Sequence, residues 1–173
     1  MQFVLAVLSN TPTWVWVLFA YLILRGIKAL SPRAQSLKRM FLMPVIFLVW
    51  SLIIMHADFG MSEVAFTSFF ILLLVGLPFG ANLVRPLPSS YRDSETGLIH
   101  RPGSPITLIL VLISISFKYV MSVAIALSPT LDANTAFLLV YGGVSGLVDG
   151  IFWGMSGFQV SQALSGRAAP SAR

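Results

Sequence analysis

The 173-residue chain is 57% hydrophobic and only 10% charged, with a net charge of +5 and no cysteine. Soluble domains carry about 25% charged residues, so the composition excludes a water-soluble globule and places the chain in the membrane class. Lack of cysteine excludes disulfides, thiolate metal sites and thiol redox chemistry, and basic residues that cluster between apolar runs argue against nucleic-acid binding.

Residues 1–10 hold no Lys or Arg, and their apolar run is short, so they do not read as a secretory signal. MQFVLAVLS is expected to form a short helix at the membrane interface or against the bundle; the alternative is an extension of the first span. A first span, about 12–30, opens on Thr11-Pro12, a cap residue followed by proline at the first helical position. Trp14 and Trp16 sit where an aromatic belt would lie. A second span, about 39–56, contains Pro44. The third, about 62–84, carries Gly76-Leu77-Pro78-Phe79-Gly80 and is expected to kink there. The loop 85–103 reads as a small hairpin: extended residues around Tyr91-Arg92, a turn through Asp93 to Gly97, then Leu98-Ile99-His100. Two strands alone are marginal in water, so the hairpin needs support from helix ends or a partner. Ser104-Pro105 caps a fourth span, about 105–127, and a fifth runs from about 135 to 164, ahead of a flexible tail, 165–173. No repeat relates one group of helices to another.

The expected fold is therefore a single all-α membrane domain. It has five transmembrane helices, an N-terminal interfacial helix and a small β-hairpin between helices 3 and 4. Every Lys and Arg except Lys118 falls between Arg25 and Arg39, around the junction of spans 1 and 2, in the loop 85–103 or in the tail, whereas the opposite side carries only Asp58, Glu63 and Asp132. The positive-inside rule then places the N-terminus outside and the C-terminus in the cytoplasm.

Two charges lie deep in the predicted membrane: Lys118 in SISFKYVMSV and Asp149 in GGVSGLVDGIFWG. Each costs about 2.5–3.5 kcal/mol at mid-bilayer on insertion scales. Counted from the loop near Leu131, Lys118 stands opposite Val144, and Asp149 lies about 7.5 Å deeper. A lysine side chain spans most of that offset, so a Lys118–Asp149 ion pair, direct or bridged, is expected. Ser114, Lys118 and Ser122 share one helix face, with Tyr119 adjacent. Gly142, Ser145, Asp149 and Ser156 fall near one face of the last span, with Tyr141 beside them. These polar faces would point into the bundle, as structure or as a ligand or proton site.

Gly142, Gly146, Gly150 and Gly154 recur every fourth residue. Small residues at that spacing let backbones approach and gain dispersion contacts between helices that lack a hydrophobic drive in lipid. The stripe drifts about 40° per step, so it would serve the fourth span, another helix or a second copy. Met55, His56, Asp58 and Met61 form a weak metal-ligand pattern. No second membrane histidine supports a bis-histidine haem. No phosphate loop, catalytic triad or zinc-helix motif occurs, so no metal, cofactor or enzymatic activity is expected.

The order TPTWVWVLFAYLILRGIKAL, a basic loop, FLMPVIFLVW, RPLP, a hairpin ending in RPGS, and a helix with FKY resembles a family of small uncharacterised bacterial inner-membrane proteins. It is more distantly similar to CcdC-like membrane proteins. The resemblance implies a bacterial inner (cytoplasmic) membrane location and a helical bundle, with no assigned activity. Function is expected through association, as a homo-oligomer or accessory subunit in the lipid bilayer. The alternative is a small transporter or ligand-binding protein whose polar site surrounds Lys118 and Asp149.

Overall fold

The computed structural model describes residues 20–21, 23–24, 27–28, 30–93 and 96–165. The predicted interfacial helix, most of the first predicted span and the tail beyond residue 165 lie outside the described residues. Four helices among the described residues are long and apolar enough to cross a membrane. They are α1 (Leu37–Phe59), α2 (Glu63–Val84), α3 (Pro105–Leu127) and α4 (Thr135–Leu164). A short 3-10 segment, Pro129–Ala133, precedes α4. Three strands, β1 (Arg33–Gln35), β2 (Tyr91–Arg92) and β3 (Ile99–Arg101), form one antiparallel sheet in the order β1-β3-β2.

Helix starts follow capping chemistry. The Ser104 hydroxyl accepts from the Ile106 amide at 3.2 Å, with Pro105 at the first helical position. Asn134 does the same for α4, accepting from Phe137 at 3.1 Å. The α1 helix is longer than expected, by two residues before Arg39 and three after His56. The α2 helix continues through Pro78, where a kink is expected, to Val84. A proline removes one backbone bond. Flanking glycines pack directly on α4, which holds the segment helical (below).

Contacts divide the chain into two units. One comprises Met1–Ser31 and Ser104–Pro129 and so contains α3. Within α3, Leu110, Val111, Ser114 and Ile115 are buried. The other unit, Pro32–Gly103 with Thr130–Arg173, contains α1, α2, α4 and the sheet.

In the second unit α4 is the central element, packed chiefly on α2 and then on α1. Glycine contacts pair Ala65, Phe69, Leu73 and Leu77 in rising order with Gly142, Gly146, Gly150 and Gly154. The two helices are thus parallel. Phe59 meets Tyr141, and Phe47 meets Phe152, so α1 runs antiparallel to α4. The α1–α2 turn and the start of α4 share one end of the unit, the loop end. The sheet lies at the other. A 30-residue helix extends about 45 Å, beyond the roughly 30 Å hydrocarbon core. Its last turns carry the sheet: Met40, Ile99 and Ala163 form a buried apolar cluster, with Val160 against it. The Ser90 amide also donates to Gln162 Oε1 at 3.3 Å.

The predicted hairpin corresponds to β2 and β3, but it is not a lone pair. Strand β1 aligns Arg33, Ala34 and Gln35 with Arg101, His100 and Ile99. The third strand and α4 supply the support that two strands lack. The turn closes through Gly97, whose φ of +67° suits glycine. Its amide donates to the Asp93 carbonyl at 2.9 Å, and Thr96 Oγ1 donates to Asp93 Oδ2 at 2.7 Å. Tyr91 and His100 stack across the strands with ring centroids 4.9 Å apart.

Candidate functional site

The glycines determine how α4 is held. A methyl group built at Gly146 would collide with the Phe69 carbonyl and lie 2.9 Å from its Cα. At Gly142, Gly150 and Gly154 it would collide with the carbonyls of Ala65, Leu73 and Leu77. The relation is reciprocal. Gly76 and Gly80 of α2 face the α4 backbone around Leu147, Gly150 and Ile151. The stripe therefore faces α2 within the chain, not a second copy. Gly157, also on α4, has open space around it.

Beside the stripe, α4 carries its polar groups. At 100° per residue, Tyr141, Ser145, Ser156 and Gln159 lie within about 40° of Phe152, and Asp149 about 60° from it. Phe152 marks the α1 side, since its ring stacks on Phe47 at 5.0 Å. On α1, Met40, Pro44, Phe47, Ser51 and Met55 form the buried face. The antiparallel register puts Ser51, four residues from Phe47, at the level of Val148 and Asp149. The α1–α4 seam thus combines an aromatic stack with Ser51, Ser145, Ser156 and Gln159, and Asp149 lies at its edge toward the glycine stripe. Phe41 and Trp153 add a flanking contact at 5.7 Å.

Burial here is nearly complete. Asp149 is 1% exposed, Ser51 1%, Ser145 5% and Gln159 2%. The hydroxyls of Ser51 and Ser145 and both side-chain polar atoms of Gln159 have no hydrogen-bond partner among the described residues. Buried polar groups are normally hydrogen-bonded, and each one left unsatisfied costs about 1–3 kcal/mol. Their clustering along one seam makes the seam a candidate site. At the loop end the Tyr141 phenol, itself buried, hydrogen-bonds the exposed Asp58 carboxylate.

Of the remaining expected site residues, Ser114 is buried, Lys118 and Tyr119 are half-buried and Ser122 is exposed. The Lys118 Nζ lies out of contact with solvent. All four belong to α3 and therefore to the other unit. Met55 is buried, whereas His56 and Met61 are exposed, so the two sulfurs share no surface. Sequence reasoning missed Ser51, Gln159 and the Phe47–Phe152 stack. Their signal was the 40, 44, 47, 51, 55 spacing in α1, which marks one helix face, and Gln159 three residues after Ser156.

A family profile matches residues 1–170. The chain belongs to the family of unknown function DUF6622. No curated protein and no solved structure matches it, and the similarity to CcdC-like proteins is not shown. Membership agrees with an uncharacterised family and brings no assigned chemistry, so the site rests on its own geometry.

Proposed function

We propose that this DUF6622 protein is a non-enzymatic, multi-pass membrane protein that binds or passes a small polar species along the α1–α4 seam, with Asp149 at its edge. The observation that carries this reading is the set of polar groups on Ser51, Ser145 and Gln159, buried and without hydrogen-bond partners among the described residues, the first two at or near the level of a buried carboxylate. Polar residues inside a membrane protein are costly and mark ligand or ion sites. The protein sits in a bacterial inner membrane with its sheet end in the cytoplasm. That end carries the basic residues of β1, of the start of α1 and of the loop 85–103, whereas Asp58, Glu63 and Asp132 lie toward the opposite side. Function by association, as an oligomer or accessory subunit, would have to use surfaces other than the glycine stripe, which α2 occupies.

A hydrophobic carbodiimide tests the central claim. Applied to the protein in mild detergent, it is expected to modify Asp149, as located by peptide mass spectrometry. Labelling restricted to Asp58, Glu63, Asp93, Glu95 and Asp132 would show a dry, structural carboxylate and end the reading.

The Lys118–Asp149 ion pair is proposed from the sequence register alone. Lys118→Ala and Asp149→Ala are each expected to lose about 2–3 kcal/mol, the scale of one unpaired intramembrane charge. The double exchange Lys118→Asp with Asp149→Lys should recover most of the thermal stability. An exchange no more stable than the single variants would remove the pair.

A further inference from the structure

The seam has a second level of organisation. Along α4, Tyr141, Ser145 and Asp149 follow one another at four-residue steps, about 6 Å of rise each. Two hydrogen bonds of about 2.8 Å through one bridging water span such a step. Ser51 joins this group at the level of Asp149, and Asp58 stands at its loop-end mouth, hydrogen-bonded to Tyr141. Toward the sheet, Ser156 and Gln159 form a second group, about 4.5 Å apart along the axis. Between the groups lies an interval of about 10.5 Å from Asp149 to Ser156. Phe152 stands in that interval, stacked on Phe47, and both rings are buried. One water does not bridge that interval, and the stacked rings offer no polar atom.

We propose that the α1–α4 seam is a proton path interrupted by the Phe47–Phe152 stack, with Asp149 as the carboxylate that takes up and releases the proton. This rests on the reading of the seam as a polar site. The chemistry of the groups selects the proton. Hydroxyls, a phenol and an amide accept and pass on hydrogen bonds, and a single carboxylate binds one proton and becomes neutral. A multivalent metal ion requires several ligating groups together, and no cluster of three His, Cys, Asp or Glu occurs among the described residues. On α1 and α2 the other titratable groups stand at the ends, and the sequence register sets Lys118 of α3 against Asp149 as the counter-charge that its protonation would release. His56, Asp58 and Glu63 lie at the loop end, and Lys38, Arg39 and Arg85 toward the sheet. The loop-end half steps from Asp58 through Tyr141 and Ser145 to Asp149 at intervals that one water spans, so Asp149 exchanges protons with the loop-end face, and displacement of the rings connects it to the sheet end.

The test is proton flux into phosphatidylcholine vesicles that contain the full chain and a pH-sensitive dye, driven by a valinomycin-set potassium potential. Phe152→Ala is expected to raise flux about tenfold over the unsubstituted protein. Adding Asp149→Asn should return it to the level of protein-free vesicles. Phe47→Leu, which keeps an apolar side chain but removes the stack, should raise flux by a smaller factor and carries the test if Phe152→Ala fails to fold. No rise in either single variant, or a rise insensitive to Asp149→Asn, would overturn the proposal. Carbodiimide labelling of Asp149 without any such flux would remove the proton path and leave the polar site standing.

Discussion

A Gly146→Leu variant is expected not to accumulate as a folded protein. The position faces the Phe69 carbonyl, and even a methyl group there collides with backbone. Backbone cannot move aside as a side-chain tip can, so α2 and α4 must separate along their length. Overpacking of a core costs about 1–3 kcal/mol when side chains can adjust; a four-carbon side chain against a carbonyl should exceed that range. Separation also forfeits the dispersion contacts at Gly142, Gly150 and Gly154, which substitute for a hydrophobic drive between helices in lipid. Gly157→Leu is the matched control, because the same substitution enters open space. Thermal melts in mild detergent, with helicity followed by circular dichroism, should show Gly157→Leu close to the parent and Gly146→Leu aggregated or strongly destabilised. Equal melting of the two variants would mean that the α2–α4 contact does not hold the unit together.

The second large effect is expected at Ile99, and it should be local. Ile99 is buried on the central strand and packs with Met40 and Ala163, where the sheet meets α1 and α4. Ile99→Asp places a carboxylate in that apolar cluster. A buried charge without a partner costs about 3–5 kcal/mol. The sheet is short, at two or three residues per strand, and depends on this anchor, so it should detach. Limited proteolysis is expected to cut within 86–103 in the variant and not in the parent. The helical circular dichroism signal should be preserved, because the glycine-packed pair is untouched. Resistance to protease in the variant would show that the strands are held by something other than the cluster.

The seam and the glycine pair divide the surface of α4. One side is committed to backbone contact with α2, which makes it close and rigid. The other carries hydroxyls and an amide against the α1 face, with the Asp149 carboxylate between the two. A glycine-based contact holds α4 without long side chains, so the α1 side can carry polar groups while the helix stays fixed. The apolar faces of α1 and α2 hold many exposed large hydrophobics, among them Val45, Val49, Ile53, Ile71 and Leu74, as lipid-facing helices require.

The sequence by itself pointed to the membrane class, the bounds of α3 and α4, the cap at Ser104 and the strands at Tyr91 and Ile99. Each rests on local chemistry: a continuous apolar run, a cap one residue before a helix, a turn glycine. The four-residue glycine period was equally legible, but its partner was not, because spacing along one helix does not say which neighbour fills the groove. Only the tertiary structure decided that the groove takes the backbone of α2. It also brought Arg33–Gln35 beside β3, a pairing more than sixty residues distant whose three residues show no alternation of their own. Ser51 stands as a lone polar residue in its segment, Gln159 lies among the polar residues near the end of its helix, and Phe47 and Phe152 are ordinary apolar ones. They became a seam only where α1 and α4 lie antiparallel, because the depth at which two helices meet is set by packing between them and is written in neither one alone.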